Sequence, residues 1–283
     1  MKKIFSQNPI DYQKLRKDDH HHPKSRKFSP HQLKSFQILK TNVSEIKPLD
    51  PNGHLVIYVH GGAFVYGPVD YHWEAAKKIV SETKCTLWMA DYPKAPENKI
   101  ETLSENIRNV YYQAVEKYHS ENIILVGDSV GASLILSLVQ NFIEEKAEYP
   151  ANLILISPVM DASFTNPEID KIEKSDPILS KAGALSAKKM CAVNDDLSDH
   201  EISPINGSFE DFPRTLLFMA EKDITYPDQK LAVQKMKDAG VDLEIVLGKD
   251  MPHIWPILPY LKEGESAFIK LISEINTAVD APK

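Results

Sequence analysis

The chain holds only two cysteines in 283 residues, Cys85 and Cys191, far apart and in no C-x-x-C arrangement. That usage excludes a disulfide framework and suits a reducing compartment, the cytoplasm, with both thiols read as small buried apolar groups. Long hydrophobic runs are also missing. No stretch approaches the ~20 apolar residues of a membrane-spanning helix. After Met1-Lys-Lys-Ile-Phe5, the polar run Ser6-Gln-Asn-Pro-Ile-Asp-Tyr12 stands where a secretion signal would have its apolar core. Positive charge is in deficit. Lys and Arg total 33 against 40 Asp and Glu, a formal net charge of −7, which argues against a nucleic-acid partner because phosphates call for a clustered basic footprint. His20, His21 and His22 invite a metal reading. Consecutive side chains cannot converge on one ion from a single strand or helix face, however, and no Cys/His cluster accompanies them. No metal is expected, and the segment reads as polar and solvated.

What is present is the composition of an ordinary globular protein, 42% hydrophobic and 26% charged, long enough to bury roughly three-quarters of its unfolded surface. Residues 36–40 and 42–46 alternate weakly, as antiparallel edge strands do. Apolar strand patterns then recur at 54–60, 86–90, 122–126, 151–156, 215–220 and 242–247. Helical spacing falls between them, at 71–83, 107–118, 130–145, 231–239 and 267–278. Alternation of this kind, with right-handed crossovers, predicts an α/β fold: a mostly parallel central sheet with helices on both faces. Residues 159–212 carry no strand pattern and only one helical stretch, 181–193. A long excursion between two buried strands is expected to be a lid or cap insertion. Residues 1–35 are polar and irregular, a cap or a mobile segment, which leaves 36–283 as one main domain. No internal repeat or second core is evident.

Chemistry concentrates at Gly127-Asp128-Ser129-Val130-Gly131, set between the apolar strand Ile123-Ile-Leu-Val126 and a broad apolar helix. A strand that turns this sharply into a helix strains its middle residue and presents that side chain at the tip. Gly127 and Gly131 keep the crowded flanks free of Cβ atoms. Ser129 then sits at a helix N-terminus, where free N–H groups and the helix dipole favour developing negative charge. Upstream, the strand 54–60 runs into His60-Gly61-Gly62-Ala63, a loop able to turn backbone N–H groups toward a substrate oxygen. A serine nucleophile needs a base, and the base needs an orienting carboxylate. Among the histidines near or after Ser129, His119 ends a helix before the elbow and His200 lies in the polar insertion. His253 alone follows a C-terminal strand, and Asp223 follows the strand before it.

The chain resembles the hormone-sensitive lipase family of α/β-hydrolase carboxylesterases. The resemblance rests on His60-Gly61-Gly62-Ala63, Asp91-Tyr92 with Ala95-Pro96-Glu97, Gly127-Asp128-Ser129-Val130-Gly131, Ser157-Pro158, Ser203-Pro204, Asp223 and Met251-Pro252-His253. These run in the family's order and span roughly residues 55–275. The resemblance implies the α/β-hydrolase fold, a Ser129–Asp223–His253 triad, and an oxyanion hole built from the N–H groups of Gly62, Ala63 and Val130. Three departures from the family pattern stand out. Ala63 stands where a third glycine is usual, Pro93-Lys94 replaces Arg-Leu, and Ala132 replaces a helix glycine.

The expected activity is hydrolysis of short-chain or aryl carboxylic esters, a small-molecule substrate handled with no cofactor. Amide or formamide hydrolysis by the same groups is the rival chemistry. A binding protein on a hydrolase scaffold is the rival class, although such proteins typically lose a triad member. Phe64, Tyr66, Tyr92 and Trp255 flank the chemistry and are expected to line an acyl pocket, with core packing as the alternative. His60 and Asp128 read as supports of the loop and the elbow, and Asp228 as a favourable charge in the first turn of a helix. Oligomeric state is not legible.

Overall fold

The computed structural model describes residues 7–23, 28 and 33–281. Eight strands form one sheet: β1 Leu33–Ile38, β2 Thr41–Ile46, β3 Leu55–Val59, β4 Thr86–Asp91, β5 Ile123–Asp128, β6 Asn152–Ile156, β7 Arg214–Lys222 and β8 Leu243–Pro252. Their order across the sheet is β1-β2-β4-β3-β5-β6-β7-β8. β1 and β2 join antiparallel, as do β2 and β4, and every other pairing is parallel. The helices are α1 Tyr12–Leu15, α2 Asp70–Thr83, α3 Ile100–Tyr118, α4 Val130–Glu144, α5 Ile169–Ile172, α6 Lys181–Cys191, α7 Tyr226–Asp238 and α8 Lys262–Asp280.

The strand order decides which face each helix covers. From β3 the chain steps one way through α2 to β4, then back across β3 through α3 to β5, and onward in that second direction. Right-handed crossovers therefore put α2 on one face and α3, α4 and α7 on the other. α8 packs against α2, and α3 packs against α4. Central strands sandwiched in this way need apolar residues on both sides, so β3, β4 and β5 are buried at every position. β8, at the sheet edge, is half-buried along most of its length. α4 is buried continuously from Val130 to Phe142, as its wide apolar stripe implies.

The reversal of direction at β3 opens a crevice at the carboxyl ends of β3 and β5, the place where open α/β sheets bind ligands. Several elements run longer than their sequence patterns. α3 begins at Ile100, α7 at Tyr226 and α8 at Lys262, because polar first turns add no apolar periodicity. β7 and β8 also extend past their apolar cores to Lys222 and Pro252, which pair across a register irregularity. That extension carries the next residues, Asp223 and His253, to adjacent strand ends.

Residues 10–21 are tied down rather than solvated. Arg16 donates to the carbonyls of Val65 and Ala95, each at 2.7 Å, and forks onto Glu97. Asp19 accepts from the Gly67 N–H at 2.7 Å, and the Trp73 indole donates to the His20 carbonyl. His21 Nδ1 lies 2.8 Å from Asp91 Oδ2. The solvated reading of this stretch is thus corrected: its polar groups have partners on the β3 and β4 loops that the sequence does not display.

Candidate active site

Ser129 caps the N-terminus of α4 with φ 52° and ψ −124°, a strained conformation for a residue bearing a Cβ. Its N–H donates to the Ile156 carbonyl on β6 at 2.8 Å, which pins the turn. Any side chain at Gly131 would land against the backbone carbonyls of Val59 and His60, so only glycine lets α4 start this close to β3.

His253 Nε2 lies 2.9 Å from Ser129 Oγ, and His253 Nδ1 lies 2.7 Å from Asp223 Oδ2. The serine hydroxyl donates to Nε2, and Nδ1–H donates to the carboxylate, which can only accept. Asp223 Oδ1 also accepts the Thr225 N–H at 2.9 Å, and the Ile254 N–H donates to Ser157 Oγ at 3.1 Å. Asp223 and His253 are both buried. Burial pushes the His253 pKa down, but the charge and hydrogen bond of Asp223 outweigh it and hold the pKa above its ordinary value.

The glycine loop lies across from this row. Gly62, Ala63 and Phe64 have φ of 121°, 53° and 69°, a left-handed run that turns the backbone after β3. A Cβ at Gly62 would strike the Tyr66 carbonyl. Ala63 holds a left-handed conformation despite its methyl, at a typical cost of ~1–2 kcal/mol. His60 is fully buried and donates from Nδ1 to the Gly61 carbonyl, while its ring stacks on Tyr92 at 4.6 Å. Burial lowers its pKa to about 4, so it serves the loop as a neutral ring. Asp128 accepts from Tyr58 OH at 3.2 Å and lies 3.3 Å from His72 Nε2. Burial alone would raise the Asp128 carboxyl, but His72 and the Gly61 N–H bring it below the ordinary value. Lys94, at one of the departures from the family pattern, pairs with Asp91 Oδ1 at 2.9 Å and donates to the Tyr92 carbonyl. The Asp91-Tyr92 turn is therefore anchored without the usual Arg-Leu.

Gly62, Ala63, Asp128, Ser129 and His253 face a single cavity of about 500 Å³. Leu15, Asp18 and His20 line it from the N-terminal segment, and Ile178, Leu179, Ala184 and Lys188 from the 159–212 excursion. Val130 contributes the first N–H of α4, one of the groups that a helix start leaves without an intrahelical partner. Of the four aromatics expected at the pocket, Tyr66 lines it. The other three belong to the core. Phe64 is fully buried, Tyr92 OH donates to the His60 carbonyl at 2.8 Å, and the Trp255 indole donates to the Met219 carbonyl at 3.1 Å. Asp228 needs a further correction. It does lie in the first turn of α7, but it is buried and accepts from Asn166 at 2.8 Å. Burial raises its pKa to about 6, so its charge is disfavoured rather than favourable.

Two site residues carry no sequence signal. Asp176 accepts the N–H groups of Ile178 and Leu179 on one oxygen and that of Ile224 on the other, all at 2.8–2.9 Å. It thereby staples the excursion to the Asp223 loop. Burial and the Asp223 charge raise its pKa to about 6. Lys188 is the second. Asp176 lies in an irregular stretch and Lys188 on a helix, and only their burial distinguishes them from ordinary surface charges. Among the described residues, no group of three or more His, Cys, Asp or Glu is placed to hold a metal ion, and no helix is long and apolar enough to cross a membrane.

Known proteins share the sequence pattern and the fold. Residues 56–257 match the profile of a family described as alpha/beta hydrolase fold. An esterase of Acinetobacter venetianus is 30% identical over 253 residues, 88% of this chain and 83% of that one. Esterase LipU of Mycobacterium tuberculosis is 27% identical over 229 residues, 78% of this chain and 74% of its own. A solved Staphylococcus aureus protein, provisionally named an esterase, superposes with a TM-score of 0.86 at 29% identity, covering 96% of this chain and 90% of that one. An esterase of the bacterial hormone-sensitive lipase family shares the fold, with a TM-score of 0.82 at 21% identity over 95% of this chain and 89% of its own. With the profile spanning most of the sheet, the chain belongs to the α/β-hydrolase fold family of enzymes, where its relatives are esterases and lipases.

Proposed function

We propose that this protein is a serine hydrolase that cleaves small carboxylic esters through an acyl-enzyme, with Ser129 as nucleophile, His253 as general base and acid, and Asp223 as the orienting carboxylate. The observation that carries the reading is the row of hydrogen bonds from Ser129 Oγ through His253 to Asp223, at 2.9 and 2.7 Å, opening onto the cavity. Ser129 Oγ attacks the ester carbonyl as its proton passes to His253 Nε2. The imidazolium is stabilised by Asp223 and returns the proton to the departing alkoxide. Water repeats the sequence on the acyl-enzyme. The N–H groups of Gly62, Ala63 and Val130 receive the oxyanion, and in comparable sites the loss of one donor costs about 3 kcal/mol. A cavity of about 500 Å³ is in the range that encloses a small organic ester. The N-terminal segment and the 159–212 excursion act as the cap that excludes water from it.

The test is a labelled fluorophosphonate probe followed by a panel of 4-nitrophenyl esters. The native protein should form one phosphonyl adduct and turn the esters over. Ser129→Ala should do neither, while keeping the native circular dichroism spectrum. An alanine variant that still labels and hydrolyses at the native rate would remove Ser129 from the mechanism.

A further inference from the structure

The cavity beside Ser129 contains an amine that has no carboxylate partner among the described residues. Lys188 lies in the last turn of α6, lines the cavity and is 1% exposed. Its Nζ stands 4.3 Å from the centre of the Phe64 ring. Among the described residues no carboxylate lies close enough to act on it, and the Cys191 thiol is the one titratable group that does. Lys94, largely buried as well, has the Asp91 carboxylate at 2.9 Å, which is how proteins usually compensate a lysine taken out of water.

Structural roles do not account for Lys188. A cation near the C-terminus of α6 would favour the helix dipole, but Lys189 already supplies one from an exposed position on the same turn. The aliphatic stem fills space that methionine or leucine would fill without desolvating an ammonium. The Phe64 ring face offers a partial partner. Burial draws the amine down to about 7, so it gains most from a ligand that restores its charge.

We propose that Lys188 makes the cavity selective for esters bearing one free carboxylate, with the ammonium pairing to that carboxylate while Ser129 attacks the ester carbonyl. A monoanion matches a single point charge, whereas a phosphate dianion would need further donors. The cavity lining offers no second cation beside Lys188: it is apolar at Val159, Phe164, Leu179 and Ala184 and acidic at Asp18, Asp70 and Asp128. The inference rests on the serine-hydrolase reading for its catalytic half, but its binding half stands apart.

The experiment compares 4-nitrophenyl hemiesters of succinic, glutaric and adipic acids with the uncharged 4-nitrophenyl esters of matching chain length. The native protein should turn over at least one hemiester as efficiently as its neutral match. Lys188→Met should lower the hemiester-to-neutral ratio of kcat/KM by about 30-fold or more, the range for removing one partner of a buried charge pair. Lys188→Arg, which keeps the charge, should retain more of the ratio than Lys188→Met. A native enzyme that hydrolyses the neutral esters but disfavours every hemiester, or a ratio that Lys188→Met leaves unchanged, overturns the proposal. Calorimetric binding of monomethyl glutarate to the Ser129→Ala protein reads anion capture apart from hydrolysis. Binding should disappear when Lys188→Met is added. Unchanged affinity in that double variant defeats the inference, whereas lost affinity upholds it even if no ester is ever turned over.

Discussion

Replacing Asp223 by asparagine probes the proposed relay at its least exposed member. The native carboxylate can only accept, so it holds the His253 proton on Nδ1 at 2.7 Å and leaves Nε2 bare toward Ser129 Oγ at 2.9 Å. Asparagine keeps the shape but presents an amide N–H. That donor drives the imidazole proton to Nε2, which then cannot accept from the serine. In serine proteases this change lowers kcat by ~10⁴, about 5 kcal/mol of transition-state stabilisation. A second consequence follows from charge. Burial lowers the His253 pKa and the Asp223 charge more than offsets it, so in the native protein the pKa lies above 6.5. The base must be neutral, so native activity should rise with pH through that raised value and fall below it. Asp223→Asn removes the offset and leaves burial, which moves the residual activity limb to lower pH. The assay is kcat and kcat/KM for a 4-nitrophenyl ester from about pH 5 to about pH 9, with circular dichroism to check folding. Asp228→Asn is the control. Asp228 binds Asn166 within the protein and lies outside the cavity lining, so its substitution should change kcat by less than ~3-fold, under about 0.7 kcal/mol. If Asp223→Asn keeps more than about a tenth of kcat, or its limb stays where the native one lies, the orienting role is wrong.

Two further substitutions test the scaffold. Gly131→Ala drives a methyl into the carbonyls of Val59 and His60, backbone atoms that cannot rotate away. It should cost at least about 3 kcal/mol, the upper end for overpacking, read as a lower urea midpoint or as insoluble expression; a native midpoint would mean that α4 and β3 are less tightly apposed. Arg16→Ala removes charged hydrogen bonds to the Val65 and Ala95 carbonyls. It should cost about 2 kcal/mol and expose residues 10–22 to limited proteolysis, whereas Glu97→Gln, which breaks only the exposed ion pair, should cost under about 0.5 kcal/mol. Equal effects of the two substitutions would assign the anchoring to the ion pair instead.

The amino-acid sequence by itself determined the architecture and the place of the proposed chemistry. Period and length of the apolar runs set the strand and helix alternation, since a strand buried on both faces must be apolar throughout and a covering helix on one side only. The Gly127-Asp128-Ser129-Val130-Gly131 corner and the His60-Gly61-Gly62-Ala63 turn were legible because their glycines answer to local crowding, as the carbonyls facing Gly131 illustrate. Tertiary structure decided what depends on distant segments meeting. Asp223 and His253 are 30 residues apart, and they meet because β7 and β8 extend as neighbours past their apolar cores. Whether an aromatic lines the pocket or fills the core could not be read from its position, because Tyr66 and Phe64 differ by two residues yet face different surroundings. Polar irregular segments were the least legible of all. The ties of Arg16 and Asp19 to the β3 loop, the Asp176 staple and the burial of Lys188 arise from shape complementarity between segments far apart in the chain. No local pattern of charge or periodicity encodes a contact of that kind.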